Sequence, residues 1–275
     1  MGHLDFRYWP EYTHALFGTT HPNSYGCGRA GAKPATEPIG YSEDRWNHYN
    51  VQGGLDLSLF ILDHFSYTQD HKTLDGFLPI IASVLEFYAN RFKANGLDED
   101  GHMIIFPTQA LETWQCPGYP PEKESCVTND TPTVAGLHSV LEKLLALPAT
   151  SSVTPAMVAE WTALLDLVPP VPMSKDKTTV VAGTTLPAAE SNVENPELYT
   201  LHPYRVYSAG KGGDLRPALS AFAKKKHGSD QGWCQVGPDA ALLGLGDLDD
   251  PGHAPTLIGA RAKLVRHFPA QFPPF

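Results

Sequence analysis

After the Gln69-Asp70 turn, Phe77, Ile80, Ile81, Val84, Leu85, Tyr88 and Phe92 recur at three- and four-residue intervals. That spacing predicts an amphipathic helix of about five turns, because a 3.6-residue period puts all seven side chains on one face. The run before it, Leu55-Asp-Leu-Ser-Leu-Phe-Ile-Leu-Asp-His-Phe65, is too apolar all round for a surface helix and reads as a mostly buried one. A buried helix followed at once by an amphipathic one makes an αα-hairpin, inner helix first and outer helix second. The remainder of the chain has to cover or extend that helical layer.

The pattern recurs downstream. Thr131-Pro132 opens a helix through Leu147, with Thr as N-cap, Pro at the first helical position, and Leu137, Val140, Leu141, Leu144 and Leu145 as its buried stripe. Thr154-Pro155 repeats the start signal for a helix through Leu167, which completes a second hairpin. Further helices are expected from Asp214 to His227, with Lys224-Lys-Lys-His227 suiting the C-terminal dipole, over Asp239–Leu245, and over Ala254–Phe268. Met103-Ile-Ile-Phe106 reads as a short strand, and residues 169–192 as a loop with one short hairpin. Twenty-five prolines and twenty-four glycines imply many loops between elements. The expected organisation is an irregular N-terminal segment (1–45) packing on the body, a helical domain (46–268), and a Pro- and Phe-rich tail (269–275). The expected fold is mainly α, a toroid of helical hairpins that is incomplete, with short β-hairpins in the loops; an open helical array is the alternative.

A net charge of −10 and a pI near 5.6 argue against nucleic acid as partner, since phosphate binding needs clustered Lys and Arg. There is no apolar window of about eighteen residues, so no membrane span is expected. Met1-Gly-His-Leu-Asp-Phe-Arg has neither the basic start nor the apolar core of a signal peptide, and compartment stays open. The twelve histidines are dispersed without ligand spacing, so no metal or other cofactor is expected. Cys116 and Cys126 flank one Pro-rich loop and could be bridged in an oxidising compartment, although free thiols are the default expectation.

Chemistry concentrates in the loops. Pro107-Thr-Gln-Ala-Leu-Glu-Thr-Trp114 follows the expected strand and sets Glu112 beside an indole, a way to hold an acid against a sugar ring. The blander reading makes Glu112 a solvated loop residue and Trp114 a half-buried anchor. Glu197 lies in Asn195-Pro-Glu197, crowded by Tyr199, His202, Tyr204 and Arg205; it is either a general base or the partner of Arg205 in a structural ion pair. Asp239 reads as an exposed first-turn carboxylate, and Asp130 as a polar residue just ahead of an N-cap.

Three segments resemble the catalytic region of the six-hairpin glycosidases, nearest to glycoside hydrolase family 95. His48-Tyr-Asn50-Val-Gln52 is similar to the family's Asn-x-Asn-x-Gln/Glu, whose asparagines hold the attacking water. Pro107-Thr-Gln-Ala-Leu-Glu112 is similar to its Pro-Ser-x-Ser-Pro-Glu, whose glutamate is the general acid. His202-Pro-Tyr-Arg-Val-Tyr207 with Gly210, and the Gly-Trp233 pair, resemble later segments. The order and separation of these matches carry the resemblance. It implies an inverting hydrolase of an oligo- or polysaccharide, with Glu112 as acid, Asn50 and Gln52 positioning water, and Glu197 as candidate base. Trp46, His48, Tyr49, Trp114, Tyr199, His202, Arg205, Trp233 and Gln235 would then bind sugar. The acid and base of an inverting enzyme stand roughly 6.5–9.5 Å apart to admit that water. His48 replaces the family's first asparagine, the family's catalytic aspartate has no assigned counterpart, and about seven helices are countable where a closed six-hairpin ring needs about twelve. A non-catalytic carbohydrate-binding or scaffold relative, or a fragment, is therefore the second expectation.

Overall fold

The computed structural model describes residues 49–117, 121, 123–148, 151–228 and 235–245. The expected N-terminal segment, the C-terminal tail, the helix over 254–268, and Trp46, His48 and Trp233 lie outside the described residues. Among those described, the protein is mainly α. Six helices follow in order: α1 (Gly53–Thr68), α2 (His71–Lys93), α3 (Thr131–Leu145), α4 (Pro155–Leu167), α5 (Arg216–Lys224) and α6 (Val236–Leu242).

Both expected hairpins form. α2 packs on α1, α4 packs on α3, and the two first helices, α1 and α3, pack on each other. The layers follow from burial. α3 buries nearly its whole surface up to Leu144, whereas α4 buries only Trp161 and Leu164 and α2 buries one stripe from Leu74 to Phe92. Gly136 sets how close α1 and α3 come: a Cβ there would stand 2.8 Å from Leu55 Cδ1 and 2.9 Å from Tyr204 Cζ. α1 buries most of the apolar run Leu55–Phe65, as expected of it, but Phe60 (71% exposed) and, beyond the run, Tyr67 (86%) stay exposed.

The helix ends show what capping decides. α4 starts as expected, Thr154 accepting the Met157 amide. On α3 the cap is one residue earlier than expected. Asp130, not Thr131, accepts the Thr133 amide at 2.9 Å, because its extended backbone leaves the carboxylate over the first turn; the helix closes at Leu145. α5 is shorter than expected: Asp214 binds the backbone and guanidinium of Arg216, just ahead of the first turn, and the helix stops at Lys224. α6 begins at Val236, three residues before the expected start.

Met103–Phe106 is extended but belongs to no strand. Its polar groups are met by side chains and helix ends: Met103 N donates to Leu167 O, Ile105 N to Asn129 Oδ1, and Asn95 Nδ2 to the Ile104 and Phe106 carbonyls. Two asparagines do what a neighbouring strand would do. Within residues 169–192, Met173 and Val180 form an isolated antiparallel bridge where the short hairpin was expected. Cys116 and Cys126 are bonded as a disulfide rather than free, their Cα atoms 4.2 Å apart, and both are wholly buried.

The main core joins α1 to α4 with Tyr204. A second joins α5 and α6 to Leu198 of the 3₁₀ turn Pro196–Thr200 and to Leu201 just after it. That turn packs against both α3 and α5, and so carries its polar side chains to the seam between the two cores.

Candidate functional site

The Glu112 loop is a tight reversal. Ala110 and Trp114 exchange both backbone hydrogen bonds, and Leu111 is held left-handed at φ 54°. A Leu in that region is strained by about 1–3 kcal/mol, and such strain persists only where the surroundings impose it. Here Gln109 imposes it. Its Nε2 donates to Leu111 O at 2.8 Å, its Oε1 accepts the Tyr49 amide at 3.0 Å, and its own amide donates to Tyr49 O. Gln109 thereby brings the 49–52 segment beside the Glu112 loop, so two of the segments singled out in the sequence are neighbours.

Glu112 is half-buried, and its Oε2 accepts Asn192 Nδ2 at 2.8 Å. Its backbone amide donates to Glu194 Oε2 at 2.9 Å. Tyr49 is 1% exposed and packs with Cys116, Cys126 and Phe106 as core. Gln52 is buried just before α1, its carbonyl accepting the Leu55 and Asp56 amides. Asn50 is half-buried.

Two cavities flank this region. The larger, about 250 Å³, is lined by the apolar Val180, Ala182 and Leu186 and by a group that includes Thr113, Trp114, Glu194 and Glu197. Glu190 at this cavity pairs with Lys226 and His227, and the Lys226 ammonium lies 5.8 Å from the Trp114 ring centroid. The smaller, about 10 Å³, has room for about one water; Glu194, Tyr199, His202, Gln235 and Asp239 line it. Glu194 stands on the walls of both, whereas Glu112 lines neither of these two.

The carboxylates here are electrostatically unusual. Burial lifts Glu197 to a pKa of about 7, with the Glu190 charge adding and Lys226 opposing. Burial also lifts Asp239 to about 7, the His202 amide at 3.2 Å opposing and Glu197 adding. Asp56 keeps one side open to solvent, but the protein around its other sides lifts it to about 6 against the hydrogen bond from Tyr204 Oη at 2.5 Å. Burial raises Tyr199 too, and the charges of Asp56, Glu194 and Asp239 all reach it. Burial lowers His202, as does Arg205. Carboxylates held near neutral pKa beside a cavity suit proton transfer.

No family model matches the chain, and a search of curated proteins finds no match either.

Three expectations change. Arg205 pairs with Asp63, which also takes Lys143 at 3.1 Å, so it does not neutralise Glu197. Asp239 is not exposed; it is 2% accessible because the turn carrying His202 lies over it. Asp130 is a fully buried cap whose pKa burial raises to about 6. Sequence reasoning passed over Glu194 and Asp56. The one signal for Asp56 was an acid in the first turn of an otherwise apolar helix. Among the described residues no cluster of His, Cys, Asp and Glu could hold a metal ion, and no helix is long and apolar enough to cross a membrane.

Proposed function

We propose that the protein is a glycoside hydrolase of the six-hairpin kind, akin to family 95, acting by inversion on an oligo- or polysaccharide. The supporting observation is Glu197, a carboxylate at about pKa 7 that lines the same sugar-sized cavity of about 250 Å³ as Trp114. In this reading Trp114 stacks on the sugar's C–H face. Glu112, one residue from the cleft wall, protonates the leaving oxygen. Glu197, poised near neutrality, takes the proton of the attacking water, which Asn50 and Gln52 help to place. The helical hairpins, whose first helices α1 and α3 pack on each other, fit an incomplete toroid.

The test is Glu112→Gln and Glu197→Gln on a panel of aryl glycosides and the matching glycosyl fluorides. Glu112→Gln is expected to lose about a hundredfold or more on poor leaving groups and little on fluorides, which need no acid. Glu197→Gln is expected to lose activity on both. Proton NMR of the first-formed anomer reads inversion. Equal activity of Glu112→Gln on all substrates removes the assignment.

A second reading is a carbohydrate-binding relative without turnover. The fastening of the Glu112 carboxylate by Asn192 favours it. Calorimetric sugar binding with no hydrolysis would select it.

A further inference from the structure

The cavity of about 250 Å³ has two lysines on its walls, and they are used differently. Lys226 pairs with Glu190, whose other oxygen stands 3.6 Å from His227 Nε2. Lys224, the last residue of α5, has no carboxylate within 4.0 Å among the described residues. Its ammonium donates to Thr179 Oγ1 at 2.9 Å, and the Thr179 hydroxyl is in turn bonded to Ser220 Oγ at 2.7 Å. Asp176 feels the Lys224 charge, but its carboxylate is taken up by Ser174 and Thr178. An ammonium has three donors, so Thr179 leaves two of them. A helix-end lysine can serve the dipole alone, but this one is fastened at a cavity by a buried threonine.

We propose that this cavity takes an acidic sugar, one bearing a carboxylate or a sulfate, whose charge pairs with Lys224 while its ring lies on Trp114. The inference rests on reading the cavity as the sugar site, and it adds the class of sugar. Both residues line the one cavity, so a single sugar can touch both. Lys224 acts as a point charge, which suits carboxylate and sulfate alike. Trp114 offers its ring face to the sugar's C–H surface. The carboxylates on the walls leave room for an anion. Glu190 is answered by Lys226. Burial raises Glu194, and raises Glu197 to about 7. Below that pH Glu197 is largely a neutral acid, able to donate a hydrogen bond to an anionic oxygen.

Titration calorimetry at about pH 6, where Glu197 holds its proton, would compare methyl glucuronide, methyl galacturonide and a sulfated methyl galactoside with neutral methyl glucoside and galactoside. The full chain is expected to bind at least one acidic glycoside about fivefold tighter than its neutral counterpart, near the top of the range for an exposed ion pair. Whether carboxylate or sulfate gives the larger margin names the charged group. Lys224 is exposed, so its replacement leaves the fold in place. Lys224→Gln should erase the margin and leave neutral binding unchanged, whereas Lys224→Arg should keep it. Trp114→Ala should weaken acidic and neutral sugars together. Equal binding of acidic and neutral glycosides, no binding of either, or a margin that survives Lys224→Gln overturns the proposal. A margin found in a protein with no turnover leaves it standing and removes the hydrolase reading alone; hydrolysis confined to neutral glycosides does the reverse.

Discussion

Gln109 and Tyr49 bind each other twice: the Gln109 amide donates to Tyr49 O at 3.1 Å, and the Tyr49 amide donates to Gln109 Oε1 at 3.0 Å. The same side chain holds the strained Leu111 carbonyl. Gln109→Ala would strip a buried amide and a buried carbonyl of their partner, at about 1–3 kcal/mol each. The expected loss is about 2–4 kcal/mol in urea unfolding, and a loss under about 1 kcal/mol would mean the loop keeps its shape without this tie.

Gly136→Ala sets helix propensity against packing. Alanine favours the helix by about 1 kcal/mol. Its Cβ would meet Leu55 Cδ1, Leu55 Cβ and the Tyr204 ring within 3.1 Å, and overpacking of this kind costs about 1–3 kcal/mol. A net destabilisation is expected, seen as a lower urea midpoint; a stabilised variant would show that α1 and α3 separate easily.

The raised carboxylates set the pH dependence of stability. Asp239 and Glu197 stand at about 7, and Asp56 and Asp130 at about 6, against ordinary values of 3.8 for Asp and 4.5 for Glu. Between those limits the folded state holds protons that the unfolded chain has released, so stability falls as pH rises. Their contribution is complete below the ordinary values and lost as pH passes through the folded ones. Asp176 and Asp214, lowered to about 2 mainly by hydrogen bonds, act oppositely, losing their contribution as pH falls toward 2. Calorimetric melts should therefore show Tm highest near pH 4–5 and declining to about pH 7.5. Asp239→Asn should flatten the decline, and a Tm rising over that range would contradict the burial of these groups.

The Cys116–Cys126 bond closes a loop ten residues apart in sequence. Alkylation without reductant, followed by peptide mapping, should leave both residues unmodified. Reduction, or Cys126→Ser, should cost about 2–3 kcal/mol by freeing the unfolded chain. Modification of either thiol in the unreduced protein would count against the bond.

Much of the helical layer was legible because its signals are local. The period from Ile81 to Phe92 and the Thr154-Pro155 start each need only one turn of neighbours to be read, whereas Phe77, expected on the same face, is exposed. Met103–Phe106 misled because an apolar run does not show what pairs with it: Met103 makes one isolated bridge to Leu97, and Asn95 and Asn129 meet the groups that follow. Asp239 misled similarly: its position in a first turn is a local fact, but its burial depends on His202, 37 residues away.

The sequence alone determined which segments are helical, which faces are largely apolar, and which loops carry aromatic and acidic side chains, since these depend on short-range sterics and hydrogen bonding. Only the tertiary structure decided that Glu194 grips the Glu112 loop from 82 residues away, that Arg205 answers Asp63, and that Glu197 and Asp239 hold their protons near neutrality. Desolvation and ion pairing are set by which chain segments meet, and that is decided only when the two cores pack together.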